Sequence, residues 1–142
     1  GRVFCGIDSL APFALMGGCT GMIWGAVNFM PHECVNLFNL IDEKKYQEAL
    51  ELWKLMEPVC LWLGGNRHDV DYLTGIKAAT NLSGRNMGPP RKPLPSAPAP
   101  ARHDLRIAMS KLPINHTTNN RLVWRDWQEE RDWLIQSTIR KN

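Results

Sequence analysis

Few residues in this chain offer chemistry, and their settings narrow what each can do. Lys77 lies in Gly75-Ile76-Lys77-Ala78-Ala79-Thr80, and its amine could in principle attack a carbonyl. That chemistry needs a desolvated pocket that lowers the amine's pKa. Lys77 instead falls within a helical pattern just before a proline-rich stretch, where a lysine lays its stem on the surface and keeps its charge in water. Asp8-Ser9 follows the short apolar run Val3-Phe4-Cys5-Gly6, so a carboxylate sits just past a strand end. It has two readings: a polar contact for a ligand, or the N-cap of the helix that follows. Gly6, with no Cβ, allows a ligand close to the backbone or simply turns the strand end.

The cysteines offer little. Cys5, Cys19, Cys34 and Cys60 form no CxxC pair, and three of them sit among apolar residues, where a thiol behaves as a small core side chain. This argues against a zinc site or a disulfide framework and for a reducing, cytoplasmic setting. No metal site and no cofactor is expected. The sequons Asn81-Leu82-Ser83 and Asn115-His116-Thr117 follow no signal peptide and read as chance. Gly1 in place of Met reads as a processed, tagged or truncated start.

The elements that must carry these residues follow from pattern. Val3–Gly6 and Met22–Gly25 read as strands, joined through a small-residue helix ending at Gly17-Gly18. Such a strand–helix–strand unit implies a parallel pair, which needs neighbouring strands to complete a sheet or barrel. Pro31 suits a first helical turn. A helix over 32–40 should bury Val35, Phe38 and Leu37, and Asp42 should cap the next helix. Tyr46, Ala49, Leu50, Trp53, Met56, Cys60 and Leu63 recur at helical spacing as a core stripe, with Pro58 expected to kink or restart the helix. A further helix spans 70–82 and closes at Gly84. The prolines from Pro89 to Pro100 form an extended strap before a helix over 101–112. A last helix is expected over 122–139, bearing Trp124, Trp127 and Trp133.

Composition sets the outer limits. The 142 residues are 44% hydrophobic and 22% charged, a globular balance with no apolar run of membrane-spanning length. The net charge of +3 gathers partly at Arg91, Lys92, Arg102 and Arg106. No aromatic residue interleaves with them between Arg85 and Arg106, so a nucleic-acid surface lacks stacking platforms, and neither nucleic acid nor membrane is an expected partner.

Taken in order, Gly6-Ile7-Asp8-Ser9, Gly17-Gly18-Cys19-Thr20-Gly21-Met22-Ile23-Trp24-Gly25-Ala26-Val27-Asn28, Gly75-Ile76-Lys77-Ala78-Ala79 and Gly88-Pro89-Pro90-Arg91-Lys92-Pro93-Leu94 resemble the dihydrodipicolinate synthase / N-acetylneuraminate lyase family. The resemblance runs from about Gly1 to Leu112 and implies an α/β chain, mostly helical by residue count. It implies the last two strands of a (β/α)8 TIM barrel with their helices over 1–63. The C-terminal helices and strap of the same domain would occupy 64–112, and a tail outside the resemblance 113–142. It also implies a class I aldolase or synthase, a lyase that joins pyruvate or a related 2-oxo acid to an aldehyde, or cleaves the product, through a Schiff base. The full-length form would be a homo-oligomer.

The family's reactive lysine and tyrosine shuttle belong to earlier strands, so no catalytic residue is assigned here and the chain alone is expected to be inactive. Lys77 matches the local pattern around that lysine but not its place in the order. By resemblance Gly6, Asp8, Ile23 and Trp24 are substrate-binding: Gly6 lines the 2-oxo acid, the Ile23 carbonyl faces it, and Asp8 meets the aldehyde partner. Trp24, where the sugar-acid lyases carry glycine, either narrows the pocket or fills core. Gly25 stands where those lyases have serine, and Ser9 where they have a second acid, departures that argue against sialic acid. Asn28 reads as a buried polar residue in a structural role. The competing function is a non-catalytic helical interaction module.

Overall fold

A computed structural model describes residues 1–65 and 67–112. The expectations for 113–142, including the helix over 122–139, lie outside the described residues. The chain opens on β1 (Phe4–Cys5), passes a 3-10 turn (Asp8–Leu10) and α1 (Ala11–Met16), and returns as β2 (Gly21–Met22). β1 and β2 pair in parallel, Phe4 opposite Gly21 and Cys5 opposite Met22. The Ile23 amide donates to the Cys5 carbonyl at 2.9 Å, and the Thr20 amide to that of Val3 at 2.7 Å. β1 falls inside the expected Val3–Gly6, whereas β2 starts one residue before the expected Met22–Gly25 and keeps only Met22 of it, because the chain turns into a 3-10 turn from Gly25.

A second 3-10 turn (Gly25–Asn28) leads into α2 (Pro31–Asp42), followed by α3 (Tyr46–Gly64), α4 (Tyr72–Leu82) and α5 (Ala99–Met109). α3 is the hub, meeting α1, α2, α4, α5 and the 8–10 turn. Its buried residues are Ala49, Trp53, Met56, Val59, Cys60, Trp62 and Leu63. Most of the expected stripe is there, but Tyr46 at its head is exposed. Pro58 neither ends nor restarts the helix, which runs through it. The one backbone bond that proline removes is outweighed by burial on both sides, since Met56, Val59 and Cys60 are completely enclosed.

α2 differs more from expectation. Leu37 is 0% exposed, but Val35 is 57% exposed and Phe38 half-buried. The buried row is Cys34, Leu37 and Ile41, at spacings of three and four. Ile41 carries α2 through Asp42, so Asp42 ends this helix and caps nothing. The break follows at Lys44, in the left-handed region at φ 60°, and α3 starts after Lys45 without a side-chain cap.

α4 starts with a true cap: the Asp71 carboxylate accepts from the Leu73 amide at 2.8 Å. It closes at Gly84, whose φ of 90° suits glycine, with the Arg85 amide donating back to the Thr80 carbonyl at 3.2 Å. The strap then brings the chain to α5. There Asp104 accepts from the Trp62 indole at 3.1 Å and faces Arg67 and His68, tying α5 to the end of α3.

Candidate functional site

The C-terminal ends of β1 and β2 lie side by side. Gly6 follows β1, Ile23 and Trp24 follow β2, and a Cβ placed on Gly6 would lie 3.6 Å from the Ile23 carbonyl oxygen. The fold therefore gathers all four residues singled out as substrate-binding. Their settings differ. The Ile23 side chain is 74% exposed, whereas Trp24 is buried in the hydrophobic cluster, the core-filling one of its two readings. The two alternate because consecutive residues of an extended chain point to opposite faces.

Asp8 is 4% exposed. Its Oδ1 accepts from the Ala26 amide at 2.8 Å, and its Oδ2 accepts from the Tyr72 hydroxyl in a short hydrogen bond. It caps neither the 8–10 turn nor α1, so the N-cap reading is replaced by a longer-range role. The Tyr72 oxygen in turn accepts from the Gly25 amide at 3.1 Å. One carboxylate and one phenol thus satisfy two successive backbone donors, Gly25 and Ala26, at the entrance of the second 3-10 turn. A buried carboxylate without such donors would be costly.

Burial, and then the hydrogen bond to Asp8, push the Tyr72 hydroxyl up to about 12, so it keeps its proton and acts as donor at neutral pH. Gly25 makes room for the arrangement. A Cβ there would lie 2.3 Å from Ile76 Cδ1 and 2.5 Å from the Tyr72 oxygen. A side chain at 25 would require both Ile76 and the Tyr72 hydroxyl to shift. Tyr72 is the residue beside the strand ends that the sequence does not single out. The Asp71 cap marks the start of its helix, but nothing local shows that its hydroxyl meets a carboxylate 64 positions earlier.

Several other candidates settle into structural places. The Lys77 ammonium donates to the Met87 and Pro89 carbonyls at 3.1 and 3.3 Å, fastening α4 to the strap. Asn28, read as buried, is exposed: its side-chain Nδ2 donates to the Gly25 carbonyl at 3.0 Å and its main-chain carbonyl accepts from Arg85 Nη1 at 2.9 Å. Burial raises the Cys34 and Cys60 thiols far above their ordinary value, reinforced by the charge of Asp8, which leaves both as inert core groups. Among the described residues no cluster of three or more His, Cys, Asp or Glu could hold a metal ion. None of their helices is long and apolar enough to cross a membrane.

A parallel strand pair with its helical crossover, followed by packed C-terminal helices, places the chain in the α/β class, and comparison with known proteins specifies it. The profile of the dihydrodipicolinate synthetase family matches residues 2–112, and the chain belongs to that family, a family of lyases. It is 31% identical over 115 residues to an uncharacterized DapA-like lyase of Pyrobaculum arsenaticum, covering 78% of this chain and 38% of that protein. It is 29% identical over 110 residues to a 4-hydroxy-tetrahydrodipicolinate synthase of Prochlorococcus marinus, covering 78% of this chain and 35% of that enzyme. The chain therefore spans little more than a third of the curated relatives it matches. A Pseudomonas aeruginosa protein known from a crystal structure, described as a candidate dihydrodipicolinate synthetase, shares the fold at a TM-score of 0.70 and 23% identity. That match covers 78% of this chain and 37% of the other, which is a TIM barrel.

Proposed function

We propose that this chain supplies the last two strands and C-terminal helices of a (β/α)8 barrel lyase or synthase. The barrel would join pyruvate or a related 2-oxo acid to an aldehyde, or cleave the product, through a lysine Schiff base. The observation that carries this reading is the pairing of Gly6 with the Ile23 carbonyl at the C-terminal ends of two parallel strands, the end at which barrel enzymes place their chemistry. In this reading Gly6 and the Ile23 carbonyl border the 2-oxo acid. Asp8 and Trp24 complete the substrate-binding set. For Asp8, a substrate contact means exchanging one of its two present bonds, to Ala26 or Tyr72, for a substrate hydroxyl. The reactive lysine lies outside these residues, and the full-length form is a homo-oligomer.

Lys77 is not the reactive amine in this scheme, because its ammonium is engaged by two strap carbonyls rather than by the strand ends. The test is reductive trapping. The chain is incubated with pyruvate and borohydride and weighed intact, alongside a chimera carrying residues 1–112 behind the matching upstream part of the Prochlorococcus marinus relative. The chain alone should keep its mass, and the chimera should gain one pyruvate adduct on a lysine of the upstream part. A stoichiometric adduct on Lys77, or a folded chimera that traps nothing, refutes the proposal.

A further inference from the structure

The loop after β2 is gripped from outside the sheet. It leaves the strand at Ile23 and passes Trp24 into the second 3-10 turn, Gly25–Asn28. α4 packs on that turn, and a Cβ on Gly25 would collide with Ile76, so helix and loop are as close as a glycine allows. Tyr72, the first residue of α4, accepts from the Gly25 amide at 3.1 Å. Arg85, just past the end of the same helix, donates through Nη1 to the Asn28 carbonyl at 2.9 Å. One helix thus holds the turn at its first and its last residue. Between these holds the turn closes on itself, the Phe29 and Met30 amides both donating to the Ala26 carbonyl at 3.1 and 2.9 Å.

The grip reaches the Ile23 carbonyl through one peptide plane. A planar peptide turns only about the soft dihedrals on either side of it. Upstream, the Ile23 amide is fixed on the Cys5 carbonyl at 2.9 Å. Downstream, the Gly25 amide is fixed on the Tyr72 oxygen. Burial of the Trp24 ring holds that residue in the core but leaves the plane before it free to tilt, and the two amide bonds remove that freedom. Asp8 steadies the arrangement, since it accepts from the Tyr72 hydroxyl and from the next amide, Ala26.

We infer that Tyr72 and Arg85 are positioning residues of the strand-end site: α4 grips the loop after β2 at both ends and so fixes the direction of the Ile23 carbonyl. Neither is a catalytic residue, because each acts through the loop. The grip belongs to this chain. That the carbonyl borders a 2-oxo acid rests on the function proposed above, which reductive trapping decides separately.

Ile23-Trp24 is the only isoleucine–tryptophan step in the sequence. The whole chain, labelled with carbon-13 at isoleucine carbonyls and nitrogen-15 in tryptophan, therefore gives one carbonyl-selected amide signal, that of the 23–24 peptide. Its order parameter should be about 0.85 in the parent chain, the value of rigid backbone, and fall towards about 0.6 in Tyr72→Phe. A variant that is merely less stable but still folded keeps the parent value. Arg85→Met changes an exposed side chain, and should speed hydrogen exchange of the Phe29 and Met30 amides about threefold or more. Lys77→Met frees the strap from α4 but leaves both holds on the loop, and should change neither readout. The inference fails if a folded Tyr72→Phe keeps the parent order parameter, or if Arg85→Met exchanges like the parent. It also fails if Lys77→Met loosens the 23–24 peptide as much as Tyr72→Phe does, since the loop then answers to α4 as a whole. Should Tyr72→Phe not fold, Arg85→Met decides alone.

Discussion

Tyr72 shows how much one hydroxyl can hold. It donates to Asp8 and accepts from Gly25, so Tyr72→Phe leaves a buried carboxylate with one donor fewer and a backbone N–H with none. The expected loss is about 1–3 kcal/mol in urea unfolding. The pH dependence follows from the raised hydroxyl. An unfolded tyrosine releases its proton near pH 10, and the folded one near 12. The folded state therefore holds the proton more tightly, so this contribution is complete below about pH 10 and disappears as pH rises to 12. Comparison of the parent and Tyr72→Phe across that window should show the gap between them closing. A constant gap would mean that the hydroxyl does not titrate as described. The Asp8 carboxylate was visible in the sequence as a residue with two possible tasks. The one it performs here was invisible because its partner arrives from a helix far along the chain.

Between elements, the signals that survived were those set by the local backbone. Gly84 at the end of α4, Pro31 at the head of α2 and the three–four spacing along α3 all dictate conformation within a turn or two, and all were legible. Which face of α2 is buried was not. Val35, Leu37 and Phe38 are all apolar, and only the position of α3 and α1 decides among them. The correction is measurable. Leu37→Ala should cost about 2–5 kcal/mol through loss of buried methyl groups and the cavity left behind. Val35→Ala, at an exposed position, should change stability by less than about 0.5 kcal/mol. Equal losses at the two positions would return the buried face to the one first read from the sequence. The end of α2 teaches the same lesson, since an aspartate next to a buried isoleucine stays helical despite its capping chemistry.

At the scale of the molecule, the order of motifs revealed the family, because several weak patterns in fixed succession are far rarer than any one of them. What the order could not reveal was the surface left around the short strand pair. Val3, Phe4, Ile7 and Ile23 are all more than half exposed there, and Phe13 of α1 is also exposed. Clustered apolar exposure of this kind favours association. Sedimentation velocity should show the average mass rising with concentration, and Ile23→Glu should reduce the rise. A monomer at every concentration would instead mean that water alone is an adequate neighbour for these strands. The bond between Asp8 and Tyr72 has a last consequence, for the order of events during synthesis. A ribosome releases residue 8 well before residue 72, so the loop beyond the first strand must wait, unlatched, until more than sixty further residues have been made. Closing so long a span costs chain entropy before any contact repays it. The latch is therefore a late event, and a nascent chain halted before Tyr72 would leave that loop open to proteases that the finished protein resists.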